Sequence, residues 1–534
     1  MSRSRREFRA IFVFASVWAS SACSDAMDAQ GELGLPQQKS FALTASERLA
    51  ACASDPRVVA GLVSAEVCAG ADIFFNETFG GNGRTCGSCH PAANNTTIDV
   101  PFVAALHETD PRNPLFVNEF DPNLAELETS DLVREAAILE NVDGFEDPAH
   151  KFVSRGVNHV LSLRTSIARD AGDGTTNPPA ERVGWGGDGS DDGTLRGFLE
   201  GAIRQHFTKD LARREGTDFR LPTSDEAQLA ETFQLSLGRL NELNLAQVNI
   251  FDAEANEGRR AFLDPVRGRC NVCHTNAGAN FIDTGKNRNF DTGTRSVGSG
   301  LTLGRFDDDQ FMSDGGFGGK GLAEPNFDAS GIGFPESFGN GSFNPPPLIE
   351  AADTAPFFHN NFRPNLDQAP RIEDAVGFYA RVAFSFSPAA QALVERFGEF
   401  DLAPLDAFAI ARFLRVLNAA LNLDIARQRL AAAQTLVNRF GNSRSDIQSK
   451  LMELAADEID DAIEVLAGAT TGPIYPNAAQ HLSSAQDEID AGLGATSAAT
   501  RQNRISNALS RVMNARDLFG SNIDFRLGQG NLMY

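Results

Sequence analysis

Two short motifs contain the residues best suited to bind a cofactor. Each motif has the form Cys-x-x-Cys-His, and its residues are Cys86, Cys89 and His90 in the first copy, and Cys270, Cys273 and His274 in the second. Two thiols at this spacing can add across the two vinyl groups of one haem, and the adjacent histidine can then reach the iron. The sequence therefore predicts two covalently bound haem c groups, with both histidines as iron ligands.

Other uses of paired cysteines fit these motifs less well. A zinc site usually has a further pair of Cys or His residues at ligand spacing, and neither motif has such a pair nearby. A thiol–disulfide redox pair does not require a histidine after both motifs. With 7 Cys and 8 His among 534 residues, two copies of the motif are not expected by chance.

The first residues of the chain have the pattern of an export signal. Basic residues within positions 1–9 precede an apolar run at 10–19, and small residues then lead to Cys23. The apolar run is too short to span a membrane. We interpret residues 1–23 as an export signal, with either a lipid on Cys23 or ordinary cleavage nearby. Ser20 stands where a bacterial lipoprotein signal usually has leucine.

Export predicts a periplasmic or secreted protein, which agrees with haem attachment outside the cytoplasm. Residues 24–64 are expected to form an N-terminal arm. In an oxidising compartment, Cys52 and Cys68 can form a disulfide that ties this arm to the first haem domain. The only membrane contact we expect is through a lipid on Cys23.

The overall charge narrows the range of partners. The chain has 71 acidic and 47 basic residues, which gives a formal net charge of −24. A chain this acidic repels phosphate backbones and anionic membrane surfaces. We therefore expect no nucleic-acid partner.

The segments that precede the two motifs are alike, which predicts a tandem duplication. Gly70–Phe79 and Gly258–Val266 each read as a short helix that leads through a loop to a motif. We expect tandem cytochrome-c-like haem domains at residues 65–245 and 246–425. Alternating strand patterns are scarce, so the predicted fold class is mainly α, with long loops between about 275 and 350.

The remaining residues, 426–534, are predicted to form a helical C-terminal extension. Apolar residues repeat with helical spacing within Ile410–Leu421, and Pro404 suits the first turn of that helix. Ser445 and Gln448 indicate a capping box at the start of the next helix. The extension has no cofactor motif, which favours a packing or partner surface.

Three segments resemble parts of the bacterial di-haem cytochrome c peroxidases and the MauG-like enzymes. Gly184–Gly189 is similar to their Trp-Asp-Gly segment, Thr354–Asn361 to their Pro-Tyr-Phe-His segment, and Ile372–Arg381 to the MauG-like Phe-Tyr-x-Arg segment. The resemblance covers about residues 65–425. It implies two facing c-type domains, one haem that reacts with peroxide or oxygen, and another that stores electrons.

The resemblance also implies roles near the first haem. Trp185 would relay electrons between the haems, and the alternative is a structural tryptophan in the core. The family's distal glutamine position falls on Phe198, and its distal acid falls near Thr208. A histidine can move protons near neutral pH, so His206 is the candidate acid–base residue, with Glu200 and Arg204 as the alternatives.

The second haem would have a further axial ligand on its other face. Tyr379 stands where MauG-like enzymes have their tyrosine ligand and where peroxidases have methionine. His359 is the alternative ligand, and Met312 is a third. Because a phenolate stabilises ferric iron whereas methionine favours ferrous iron, Tyr379 implies a MauG-like redox behaviour.

Several further residues are candidates for contacts with the cofactors. Arg155 and Arg164 suit haem propionates, since arginine pairs well with carboxylates. His159 is either a ligand of the first iron or a buried histidine that contacts a propionate. The acidic segments Asp188–Asp192 and Asp307–Asp309 either bind calcium or form solvated loops.

Together these features predict an exported di-haem oxidoreductase of the cytochrome c peroxidase or MauG type. It would reduce peroxide, or use peroxide or oxygen to oxidise a substrate. Its electrons would come from a small redox protein or a quinol-linked donor. The alternatives are a non-enzymatic di-haem electron-transfer cytochrome and a haem-based sensor whose extension contacts a partner.

Overall fold

The computed structural model describes residues 43–128, 133, 135–140, 153–166, 194–285, 287, 289–294, 343–361 and 371–534. Helix makes up 58% of this structure and strand 4%, which confirms the predicted mainly α fold class. No helix in these ranges is both long and apolar enough to cross a membrane.

Seventeen helices and four short strands make up the described structure. The helices before the second motif are α1 Ala45–Cys52, α2 Pro56–Val59, α3 Ala65–Asn76, α4 Cys86–Cys89, α5 Val100–Thr109, α6 Val117–Phe120, α7 Leu195–His206, α8 Ser224–Gln234 and α9 Ala253–Leu263. The later helices are α10 Cys270–Cys273, α11 Ile372–Phe378, α12 Val382–Ser385, α13 Pro388–Phe397, α14 Pro404–Phe440, α15 Ser445–Ala467, α16 Pro476–Leu493 and α17 Ala498–Arg516. The strands form two antiparallel pairs, β1 Ala137–Glu140 with β2 Val153–Gly156, and β3 Asn249–Ile250 with β4 Gly520–Ser521.

Helix α3, which leads to the first motif, crosses α8 in direct backbone contact. Gly70 lies at the crossing, where a Cβ atom would be 2.1 Å from the carbonyl oxygen of Leu229. Phe74, one turn later, is buried and packs against Phe233 with 5.3 Å between the ring centroids. A residue with a side chain at position 70 would force the two helices apart.

Helix α9, which leads to the second motif, crosses α14 in the same manner. A Cβ atom at Gly258 would be 1.8 Å from the carbonyl oxygen of Ala409. Phe262, also one turn later, is buried and packs edge-on against Phe413 at 5.6 Å. The likeness of the two segments in sequence therefore reflects one shared arrangement, a Gly-x-x-x-Phe helix crossed by a later helix.

Helix α14 runs without interruption from the second motif region into the C-terminal extension. It begins at Pro404, as predicted, and its 37 residues pass through the predicted boundary between 425 and 426. Most of its middle is buried, and α15 packs along it while α16 pairs with α17. The extension is helical as predicted, and it continues the preceding helix without a linker.

The predicted capping box at the start of α15 is wrong. Arg444 precedes the helix in the left-handed conformation, with φ of 66°. The side chain of Ser445 makes no cap, and Gln448 is buried and donates from Nε2 to the carbonyls of Gly441 at 2.9 Å and Ser443 at 3.2 Å. Gln448 therefore holds the turn between α14 and α15 instead of the helix start.

Two contacts join distant parts of the chain to the first motif region. The predicted disulfide between Cys52 and Cys68 is confirmed, and it links α1 to α3. From the other end of the chain, the ring of Tyr534 packs against Phe75 with 5.7 Å between centroids. Phe75 in turn lies against Gly87 of the first motif. The extension thus reaches the first motif through aromatic packing.

Candidate functional site

The two motifs have the same backbone geometry. In each, the residues from the first cysteine to the second form one helical turn, α4 or α10, and the histidine follows directly. The dihedral angles φ and ψ are −117° and 60° at His90, and −121° and 62° at His274. Residues three apart on a helix lie on the same face, so each turn presents two thiols together. This arrangement suits the attachment of one group through two sulfur atoms.

Backbone carbonyls hold both histidine rings in one tautomer. Nδ1 of His90 lies 2.9 Å from the carbonyl oxygen of Thr96, and Nδ1 of His274 lies 3.0 Å from that of Pro346. Because a carbonyl can only accept, Nδ1 carries the proton and the lone pair is on Nε2. A second partner of this kind is usual for histidines that bind metals, and it directs Nε2 to the metal.

Burial keeps both of these imidazoles neutral. It lowers the pKa of His90 and of His274 to about 4, although the carbonyl partners act in the opposite direction. Neutral imidazole is the form that donates a lone pair to a metal. Both histidines are therefore suited to bind iron at neutral pH.

The motif cysteines lack the properties of a redox-active pair. Burial raises the pKa of Cys86 and of Cys270 to about 12, and that of Cys89 to about 11. None of the four motif cysteines is in a disulfide. A cysteine that takes part in thiol–disulfide exchange usually has a lowered pKa. These sites suit thioether attachment better than exchange.

A mostly apolar cavity, here called the second cavity, surrounds the second motif. Its wall includes the motif residues Cys270, Cys273 and His274. Much of the remaining wall is aromatic or aliphatic and includes Phe262, Leu348, Phe358, Val376, Phe384, Ile410 and Leu414. An apolar cavity with a few polar groups is the usual surrounding of a large ring-shaped cofactor.

Both predicted ligands of the second iron line this cavity. Tyr379 follows α11 and packs edge-on against Phe384 at 4.9 Å. Burial, helped by the two nearby thiols of the motif, raises the pKa of its phenol. The ring of His359 stacks on Phe343 with 3.9 Å between centroids. The structure brings both candidates into the cavity of the second motif.

One polar atom of the cavity wall fits a propionate of a haem. Oγ1 of Thr294 is buried, has no hydrogen-bond partner among the described residues, and can donate to a carboxylate. Arg155, two residues before the cavity-lining Val157, is buried in β2, whereas Arg164 is exposed. Arg155 is therefore the better placed of the two predicted arginines to meet a buried carboxylate.

A buried arginine, a carboxylate and a histidine are linked in a chain beside the first motif. Nη1 of Arg84 is 2.6 Å from Oε2 of Glu128, and the other carboxylate oxygen is 2.8 Å from Nδ1 of His206. Burial alone would raise the pKa of Glu128, but Arg84 and His206 outweigh it and lower the pKa to about 2. His206 is close enough to affect the pKa of His90. The structure thus places the predicted acid–base residue next to the first motif, held by a carboxylate.

Arg84 and Glu128 were not identified from the sequence. Arg84 lies two residues before the first cysteine of its motif, and Arg269 lies directly before Cys270. Both arginines are buried and donate to backbone carbonyls, so an arginine just before each motif was a repeated signal. Glu128 had no such signal, because only the tertiary fold brings it to Arg84.

Some predicted site residues lie outside the described residues. These are Trp185, Met312, the acidic segments at 188–192 and 307–309, and the export signal at 1–23 with Cys23. Within the ranges that the structure describes, no three His, Cys, Asp or Glu side chains converge to hold a metal ion. The calcium prediction therefore remains a prediction.

Searches of protein-family models, curated proteins and solved structures found no match to this chain. The resemblance to di-haem peroxidases stays a prediction that depends on short motifs and their order.

Proposed function

We propose that the protein is an exported di-haem c-type oxidoreductase that reduces peroxide, or uses peroxide or oxygen to oxidise a substrate. The observation that carries the proposal is the repeated site geometry: a helical turn with two thiols, followed by a neutral histidine whose Nδ1 is held by a carbonyl. Bound haem would supply iron that exchanges electrons and reduces the oxidant. Side chains of the protein would bind the iron and move protons.

At the first site, the chain supplies a means to move a proton. The Glu128 carboxylate accepts from Nδ1 of His206, so Nε2 is the nitrogen that can take up or release a proton. Reduction of peroxide requires a proton to move between its two oxygens. A positioned acid–base group typically contributes a factor of about 10²–10⁴ to such a step. We assign this role to His206, with Glu128 as its positioning residue.

At the second site, the chain supplies a surrounding that excludes water. Nε2 of His274 would bind the iron, and we assign Tyr379 as a further ligand, with His359 as the alternative. A phenolate ligand stabilises an iron that has lost electrons. This site would therefore hold an oxidising equivalent, while the first site would meet the oxidant.

The haems would receive their electrons from an external donor. We infer a small redox protein or a quinol-linked donor. A basic docking face on a protein donor would complement the net charge of −24 and speed association at low ionic strength.

The proposal is tested by counting haems and by probing their ligands. The protein is produced with a haem c maturation system, denatured, and analysed by mass and by the pyridine haemochrome spectrum. We expect two covalently bound haems per chain. A colourless protein, or one iron per chain, would overturn the proposal.

Spectroscopy of the ferric protein separates an enzyme from an electron carrier. We expect a high-spin signal from one haem that shifts when cyanide or peroxide is added. Two low-spin haems that do not react with either compound would favour the electron-transfer cytochrome.

The two candidate ligands are separated by a matched pair of variants. Tyr379→Phe should change the electron paramagnetic resonance signal of the second haem, whereas His359→Phe should leave it unchanged. The opposite result would assign His359 as the ligand.

A further inference from the structure

A short segment, Val157–Val160, lies between the first motif and the second cavity. On one side, Val157, Asn158 and His159 form part of the wall of the second cavity. On the other side, the segment is bonded to the loop that follows the first motif. There, Oγ1 of Thr97 donates to the carbonyl of Val157.

The same loop holds the histidine of the first motif. The carbonyl of Thr96 accepts from Nδ1 of His90 at 2.9 Å, and Oγ1 of Thr96 accepts from the N–H of Val160 at 3.0 Å. The carbonyl of Asn158 also acts on the His90 ring and partly offsets the effect of burial on its pKa. A continuous path of covalent bonds and hydrogen bonds therefore runs from His90 through Thr96 to Val160 and the cavity wall.

His159, within this segment, is held differently from the two motif histidines. Its Nδ1 accepts the N–H of Leu161 at 3.2 Å, so the proton is on Nε2. Burial, together with the nearby His90 and Arg239, lowers its pKa to about 3, so the ring is neutral. This tautomer makes His159 a hydrogen-bond donor and favours a role in the cavity wall over that of an iron ligand.

We propose that Val157–Val160 carries the electron exchanged between the two haem sites, with Thr96 and Thr97 as the residues that couple it to the first site. This inference rests on the proposed function. One iron loses one electron and the other gains it, and no proton or atom is transferred. Bonded contacts conduct electrons better than gaps between non-bonded atoms. Both threonines are buried, so water does not interrupt the path.

The test uses two matched pairs of variants. Thr96→Val removes the hydroxyl that accepts from Val160 but keeps the backbone carbonyl that holds His90, and Thr96→Ser keeps both. Thr97→Val and Thr97→Ser form the second pair, which serves if a Thr96 variant does not fold. Each variant is first shown to contain two covalent haems with unchanged midpoint potentials.

The measurement is the rate at which the two haems share an injected electron. Pulse radiolysis delivers less than one electron per molecule, and the spectra of the two haems are then followed in time. We expect severalfold slower exchange in both valine variants and nearly unaltered exchange in both serine variants. Trp185→Phe is measured in parallel and should leave most of the fast exchange.

Three outcomes would count against the inference. Equal rates in the valine and serine variants would overturn it while leaving the proposed function in place. Loss of fast exchange in Trp185→Phe alone would also overturn it and would assign the path to that tryptophan. An unaltered protein without two covalent haems would overturn both proposals together.

Discussion

The two motif regions repeat one backbone arrangement in different electrostatic surroundings. Beside the first motif, the buried guanidinium of Arg84 is neutralised by Glu128, which also holds His206. Beside the second, Arg269 donates to backbone carbonyls such as those of Gly398 and Glu399, and burial lowers its pKa. One site thus has a carboxylate and a histidine that can handle protons, and the other has an apolar cavity. The attachment geometry alone does not decide what a site does.

The motif histidines differ in how they are supported. The carbonyl that accepts the proton of His90 comes from Thr96 in the same loop. His274 is buried, and one of its acceptors is Pro346, which is far along the chain. The nearest acceptor is therefore close in sequence at the first motif and distant in sequence at the second.

The largest expected effect comes from removing one pair of thiols at a time. C86A/C89A and C270A/C273A should each reduce the covalent haem count from two to one, measured by mass and the haemochrome spectrum. The second variant should also lose more thermal stability, because it leaves a large apolar cavity without a cofactor. Greater destabilisation of C86A/C89A would show that the first site depends more on its haem.

The next effect concerns the buried carboxylate that distinguishes the first region. Glu128→Gln leaves Arg84 buried without a counter-charge, which should lower the free energy of unfolding by about 3–5 kcal/mol in denaturant titrations at neutral pH. Glu215→Gln is the control, because its pair with Arg204 is exposed and should contribute about 0–1 kcal/mol. Equal effects of the two variants would contradict the assignment.

The carboxylate of Glu128 also makes the free energy of unfolding depend on pH, and the sign of this dependence follows from its pKa shift. The pKa of Glu128 falls from 4.5 to about 2 on folding, so its stabilisation is fully present above pH 4.5 and is lost as the pH falls towards 2. Unfolding free energies measured across this range should decline less steeply in Glu128→Gln than in the unaltered protein. Parallel curves would show that another group accounts for the acid sensitivity.

A smaller effect should follow from the disulfide, for which the second region has no counterpart among the described residues. Cys52 and Cys68 are 16 residues apart, and a crosslink over about 15 residues stabilises by roughly 3 kcal/mol. C52A/C68A should therefore lower the denaturant midpoint without changing the haem count. A loss of haem in this variant would mean that the disulfide is needed to form the first site.

The smallest effect is expected at Arg164, the exposed one of the two arginines that were predicted to contact haem propionates. Arg164→Ala should change stability by no more than about 0.5 kcal/mol and leave the haem spectra unaltered. Arg155→Ala should perturb the spectrum of one haem, because Arg155 is buried two residues before the cavity-lining Val157. The reverse pattern would assign the propionate contact to Arg164.

Local patterns predicted the parts of this structure that local forces determine. The start of α14 at Pro404 followed from helical spacing. The pairing of Cys52 with Cys68 followed because the other cysteines already had assignments. The capping box failed because Gln448 found carbonyl partners in the preceding turn, which no local rule foresees. Glu128 was missed because it acquires its role only through contact with Arg84. Residues such as Trp185, outside the described ranges, remain predictions from resemblance.

The uninterrupted course of α14 has a mechanical consequence. At 1.5 Å per residue, its 37 residues form a rod about 55 Å long, with Ile410 and Leu414 in the wall of the second cavity at one end and α15 packed along the other. A partner that binds and tilts the C-terminal helices would push directly on the second cavity. No hinge at the predicted boundary would absorb that motion.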